Sequence, residues 1–135
     1  MSKSKPHIIE FPKIGESSIG YISVGEVQDQ IPFDVKRVFW TYYTPESIVR
    51  GRHAHYETEM VLIALNGRIT VLTEMPGEEV ETFILDAPNQ GVFLPKLCWH
   101  TMQYSHSAVQ IVLASTLFNP KDYIRDYKDF EQLSK

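Results

Sequence analysis

One cysteine, Cys98, stands in the whole chain of 135 residues. It excludes an internal disulfide framework, and alone it cannot build a cysteine-based zinc site. Positive charge is not in surplus either: 13 Lys and Arg against 17 Asp and Glu give a net charge of −4. No broad cationic surface for nucleic acid follows from that balance, although a few local arginines can still hold an anionic small ligand. No run approaches the roughly 18 apolar residues of a membrane span. The polar start MSKSKP lacks the apolar stretch of a signal peptide. The expectation is a cytoplasmic protein with no nucleic-acid and no membrane partner. Repeats and low-complexity segments are lacking too, so 1–135 reads as a single domain with a flexible tail over 1–6. With 43% hydrophobic and 22% charged residues, the chain has the composition and length to bury a real core.

What is there is a succession of short strands. His7 to Phe11 and Ile19 to Val24 read as strands separated by the turn-prone Gly15–Ser18, with a loop over Gln28–Pro32. Phe33 to Tyr43 alternates, placing Phe33, Val35, Arg37, Phe39, Thr41 and Tyr43 on one face. An arginine in that apolar row either snorkels to water or lines a polar cavity. Val61 to Leu65 is apolar at both parities, which predicts cover on both faces, by the interior on one side and a second sheet or partner subunit on the other. Asn66-Gly67 is a two-residue hairpin signal that would return Arg68 to Glu74 onto that strand. Val80 to Leu85 and Gly91 to Leu94 follow, and Trp99 to Tyr104 with Val109 to Ala114 read as a hairpin around Ser105-His106-Ser107. The end changes character. Asn119 can cap a helix, Pro120 suits its first position, Asp122 adds negative charge to its first turn, and Tyr123, Ile124, Tyr127 and Phe130 recur at helical spacing. A helix is expected over 119–134. Nine or ten strands and one terminal helix predict an all-β barrel or jelly roll.

The chemistry centres on Arg50 to Gly67, RGRHAHYETEMVLIALNG. His53 and His55 lie two residues apart in a strand, so both point to one side. Histidine titrates near neutrality, which suits either a metal site or proton transfer.

Gly51-x-His53-x-His55 with Gly67, and Pro95 to His100, resemble the two motifs of the cupin superfamily. That resemblance implies a jelly-roll barrel with the site inside it. Metal-binding cupins use two histidines and a Glu from the first motif and a histidine from the second. Here the carboxylate position falls on Met60, while Glu59 is one residue off and points to the other face. A thioether suits soft metals, although His53, His55 and His100 alone could hold zinc with a water. The expectation is a site without metal or other cofactor.

A closer resemblance covers nearly the whole chain. Phe33 to Val38, Arg50-Gly51-Arg52-His53-Ala54-His55, Trp99-His100 and Asp122-Tyr123-Ile124-Arg125 are similar to the sugar 3,4-ketoisomerases, the WxcM-like family. These act on dTDP-4-keto-6-deoxyglucose in deoxysugar biosynthesis. The resemblance implies a metal-free isomerase that moves the ketone from C4 to C3, acting as a homodimer with an exchanged N-terminal strand. It implies His53 and His55 as the acid/base pair. A tyrosine, Tyr43 or Tyr21, and His100 are candidates to orient the substrate oxygens or act as acid. Arg37 and Arg50 are assigned to the diphosphate or sugar oxygens, since guanidinium binds phosphate bidentately. Arg50 has the opposite parity from the histidines, so a bulge or a subunit boundary is required to bring it in. Met60 and Ile19 depart from the family's usual residues, and Met60 is a pocket-wall position. A 3,5-epimerase is the nearest alternative enzyme, but its RGxHxQ-like motif would need a glutamine where His55 stands. The alternative of another class is a non-catalytic sugar-binding cupin.

Overall fold

The computed structural model of the chain describes residues 4–135. One five-stranded sheet contains β1 (His7–Glu10), β4 (Arg37–Tyr42), β6 (Met60–Asn66), β9 (Gln90–Leu94) and β11 (Val109–Ala114), in the order β1-β9-β6-β11-β4. The other contains β5 (Val49–His55), β7 (Ile69–Glu74), β8 (Glu81–Leu85), β10 (Trp99–Tyr104) and β12 (Tyr123–Ile124), in the order β12-β5-β10-β7-β8. Every pairing in both sheets is antiparallel. Their inner faces share one core, in which Leu62, Val92 and Val112 of the first sheet meet Ile69, Val71 and Met102 of the second. This is the expected cupin-type jelly roll with one short C-terminal helix.

Strand partners differ from the local expectation in two places. Asn66-Gly67 is not a hairpin turn, because β6 and β7 belong to different sheets. The same holds for Ser105–Ser107, since β10 and β11 also part company there. Each is a corner where the chain crosses from one layer to the other, and the corners bond to each other. Asn66 Nδ2 donates to the Ser107 carbonyl at 2.9 Å, and the Arg68 N–H donates to Ser105 Oγ at 2.9 Å. Gly67, at φ +73°, has the Ala108 backbone where a Cβ would stand, 2.7 Å away. Two turns that each look self-sufficient in sequence are thus halves of one barrel end.

Within the single chain, the second cover of Val61 is not another sheet. Ile9, Phe11, Ile31, Phe33 and Phe93 close over it from the chain's own N-terminal segment and β9. Phe33 therefore belongs to this outer cluster, and the strand begins only at Arg37. Residues 1–3 of the expected tail lie outside the described residues, and Pro6 is already buried. Gly15–Ser18 is not all turn: β2 (Lys13–Glu16) pairs with β3 (Gly20–Ser23), and every residue of this hairpin is exposed.

The expected helix over 119–134 is broken in two. Asn119 does cap, its side chain accepting from the Lys121 N–H at 3.0 Å, but what it caps is a single 3-10 turn, Pro120–Asp122. Tyr123-Ile124 then pairs with His55 and Ala54 as β12. Only α1 (Tyr127–Gln132), capped by Asp126, is α-helical. Backbone donors of a buried sheet edge must be satisfied, and at β5 this requirement outweighs helical periodicity. Phe130 anchors the helix against Ala54 and Ile124, on the outside of β5.

Candidate active site

The two histidines of β5 face the barrel interior, and β10 brings His100 opposite His53 in register. Ring centroids lie 5.0 Å apart for His53 and His55 and 4.7 Å apart for His53 and His100. All three line a cavity of about 220 Å³, with Met60, Gln110, Tyr123 and Arg125 among its other walls. Such a volume is below the roughly 300–1,000 Å³ of sites that take a whole drug-sized ligand. It suits a sugar ring and leaves a nucleotide outside.

Arg50 also lines this cavity, despite its parity. The reason is a bulge. The register of β5 on β10 runs His53 with His100 and then Gly51 with Thr101, so Arg52 is the extra residue. Gly51 at φ +87° and Arg52 at φ +60° both take left-handed backbone there. A Cβ on Gly51 would meet the His100 carbonyl oxygen at 2.8 Å, so only glycine fits.

Each imidazole is fixed by a hydrogen bond at Nδ1. His53 donates to the Gly51 carbonyl at 3.0 Å, His100 to the Cys98 carbonyl at 3.0 Å, and His55 to Asp122 Oδ2 at 2.9 Å. With Nδ1–H so engaged, Nε2 of each ring is left as an acceptor. Burial holds all three neutral. Desolvation, with His55 nearby, lowers His53 to about 4, and desolvation with His53 nearby lowers His100 to about 3. His55 is lowered by desolvation as well, but Asp122 opposes the shift. Burial pushes Asp122 up, yet Thr58, the Glu57 N–H and His55 outweigh this and keep its carboxyl below the ordinary value. His55 is thus the one ring with a counter-charge behind it.

Tyr123 packs its ring against both strand histidines, at 4.9 Å from His53 and 4.4 Å from His55. Arg125 stacks on the outer side of the site, its guanidinium 4.2 Å from the Tyr123 ring centroid. Arg37 lies near Phe39 and Phe118, with its Nε buried and unpartnered among the described residues. Met60 faces the cavity as expected, whereas Glu59 lines a different surface hollow.

Two expected tyrosines are elsewhere. Tyr43 was expected in the inward row of β4, but the strand ends at Tyr42 and Tyr43 turns to φ +61°. It is 88% exposed and lines a hollow with His106, away from the histidine cavity. Tyr21, 51% exposed, sits on the β2–β3 hairpin beside a cavity with Phe11 and Lys13. Within one chain neither reaches the histidine cavity.

Four site residues escape a reading of the sequence by itself: Gln110, Asp122, Tyr123 and Arg125. The last three stand in the quoted Asp-Tyr-Ile-Arg stretch, where their helical spacing masks a strand. The metal question can be put to the same geometry. Ligand atoms of His53, His55 and His100 lie within 4.8 Å of one another, a spacing that could accept an ion. The charges do not fit one. Two arginines and no carboxylate line the cavity, which favours negative charge developing on a substrate over a divalent cation.

The sequence pattern of the family described as FdtA: WxcM-like, C-terminal matches residues 4–135. The chain is 36% identical over 126 residues, 93% of its length and 89% of the relative's, to TDP-4-oxo-6-deoxy-alpha-D-glucose-3,4-oxoisomerase of Aneurinibacillus thermoaerophilus. A 3,4-ketoisomerase from Helicobacter canadensis superposes with a TM-score of 0.89 at 35% identity, covering 96% of each chain. QdtA, a sugar 3,4-ketoisomerase from Thermoanaerobacterium thermosaccharolyticum in complex with TDP, gives 0.90 at 31% identity, covering 96% of this chain and 94% of its own. Matched by that pattern over residues 4–135 and 36% identical to a relative over 93% of its length, the chain belongs to the WxcM-like family.

Proposed function

We propose that this chain is a nucleotide-sugar 3,4-ketoisomerase, converting dTDP-4-keto-6-deoxyglucose to a dTDP-3-keto-6-deoxyhexose without a metal. The observation that carries the reading is the cavity itself. Three neutral imidazoles, one of them backed by a carboxylate, share a sugar-sized space with two guanidinium groups. The relatives named above are ketoisomerases, and neither the epimerase nor the non-catalytic alternative has comparable support.

His53 and His55 are the acid/base pair. A neutral imidazole takes the proton from C3, which is acidic because the C4 ketone accepts the electron pair. The resulting C3–C4 enediolate carries its charge on O4, where Arg50, Arg125 and the Tyr123 hydroxyl are the donors available to stabilise it. O4 gains a proton, O3–H gives one up, and C4 is protonated. The product holds a ketone at C3 and a hydroxyl at C4, with no net change in composition. A proton entering the cluster comes to rest on His55, since Asp122 stabilises that imidazolium. His100 orients the substrate oxygens, and Met60 adds an apolar wall. Arg37 is not among the residues lining the cavity but lies beside Phe39, which is, and it remains the candidate for the diphosphate.

The active form is a homodimer. Support comes from exposed apolar residues on two elements with no cover in the single chain. These are Ile14, Ile19, Tyr21 and Ile22 of the β2–β3 hairpin, and Val38, Trp40 and Tyr42 of edge strand β4. In this chain β1 pairs with its own β9, so an exchanged N-terminal strand is an arrangement of the dimer alone. Tyr21 joins a histidine cavity across that boundary.

The test is direct. EDTA-treated protein, checked for dimeric mass by light scattering, is incubated with dTDP-4-keto-6-deoxyglucose in D₂O and followed by NMR. The expected product carries the ketone at C3 with solvent deuterium at C4. Unchanged sugar would sink the reading, deuterium at C5 would select an epimerase, and activity restored only by added metal would overturn the metal-free mechanism.

A further inference from the structure

Gln110 is a buried polar group in the cavity wall that the reaction scheme leaves unused. It lies on β11, in register with Thr41 of β4 and Ala64 of β6, and it lines the histidine cavity. It is 1% exposed, and its Oε1 has no hydrogen-bond partner among the described residues. A buried carbonyl oxygen is costly to leave unpaired. An otherwise apolar row that keeps such a group is suited to a donor arriving from outside the chain.

The register says where that donor would lie. Along the inner faces of β6 and β11, Met60 pairs with Ala114, Leu62 with Val112 and Ala64 with Gln110. Met60 and Gln110 therefore mark opposite ends of one row, with apolar Leu62 and Val112 between them. On a 4-keto-6-deoxyhexose, C1 carries the diphosphate, C4 the ketone and C6 is a methyl. Only O2–H and O3–H can donate. The O3 proton must leave during the reaction, so its partner has to be a base, and an amide oxygen is not one. The 2-hydroxyl remains. With C3 and C4 held at the histidines, C2 and C5 flank them on opposite sides, as Gln110 and Met60 flank the row.

Resting on the ketoisomerase reading, we propose that Gln110 is a specificity residue that accepts the hydrogen bond of the sugar's 2-hydroxyl. Met60, at the other end, meets the C5 flank with its methyl group. The enzyme is thereby built for 2-hydroxy sugars and discriminates against 2-deoxy ones.

Wild type and Gln110→Leu are each assayed with dTDP-4-keto-6-deoxyglucose and with its 2-deoxy counterpart. Wild type is expected to favour the 2-hydroxy sugar by about 10- to 100-fold in kcat/KM. Gln110→Leu should lose about that factor on the 2-hydroxy sugar and little on the 2-deoxy one. An equal loss on both sugars would assign Gln110 to the barrel's own packing and overturn the proposal. If the variant does not fold, the wild-type ratio decides, and equal use of both sugars strikes out Gln110 alone. Failure of wild type on both sugars is a different result: it removes the ketoisomerase reading and this assignment with it.

Discussion

A histidine that accepts a proton inside a barrel needs a counter-charge, and Asp122 supplies it to His55 at 2.9 Å. The carboxylate is itself pinned by the Glu57 N–H at 2.7 Å and by the Thr58 hydroxyl. Asp122→Asn keeps the shape and removes the charge, so a proton on His55 loses its stabilisation. The turnover number is expected to drop by about 10²-fold or more. Because Asp122 holds the His55 pKa up, the acid limb of kcat/KM should also move to lower pH in the variant. Unchanged rate and profile would remove Asp122 from the chemistry. His53, His55 and their shared face were readable from a two-residue spacing, which any strand imposes. Asp122 was not, because its partner is 67 positions away and its neighbours mimic a helix.

At the scale of elements, the site depends on β12 and α1, which look peripheral. Phe130 is 1% exposed and packs against Ala54 and Ile124, directly behind the histidine strand. Phe130→Ala should cost about 3–5 kcal/mol of stability, the range for deleting a buried aromatic ring. It should also lower activity in the fraction still folded, since β12 carries Tyr123 and follows directly on Asp122. Urea unfolding and assays below the transition check both, and wild-type stability would show that α1 is dispensable. The bulge at Gly51 and Arg52 makes the same point within one strand. Alternation assigns Arg50 to the wrong face, and only the one-residue shift against β10 returns it to the cavity. Tyr43 fails in the opposite way, because β4 stops one residue before it.

For the molecule as a whole, burying three neutral histidines makes the fold sensitive to acid. His53 titrates at about 4 and His100 at about 3 in the folded chain, against an ordinary 6.5. Above pH 6.5 both states leave these rings neutral, and no dependence arises. As pH falls below 6.5 the unfolded chain binds protons that the folded one refuses, so stability declines until the folded values are reached. His100, fully buried, can contribute a slope of up to about 1.4 kcal/mol per pH unit. Asp122, held below its ordinary value, adds a loss of the same sign at lower pH. Thermal unfolding from pH 7.5 to 5 should show a falling midpoint and a shallower fall in His100→Gln. A flat profile in wild type would mean that the folded rings take up protons as readily as the unfolded ones, and that burial does not lower them.

A succession of short strands and a histidine pair on one strand face follow from alternation, a local property of a chain. The expected nine or ten strands fall short of the twelve among the described residues, because turn-like and helical patterns mask β2 and β12. An all-β barrel or jelly roll was therefore legible in the pattern, and the cupin resemblance added that the histidines would lie inside it. Pairing between distant strands is not local. Whether Asn66-Gly67 turns a hairpin or crosses between sheets depends on which strand edges remain to be satisfied, and β9 and β11 already flank β6. The same competition drew Tyr123-Ile124 out of a helix and onto β5, which set Asp122 behind His55. Gln110 shows the limit most simply: a glutamine in an apolar strand has no meaning until the closed barrel leaves its amide oxygen without a partner among the described residues.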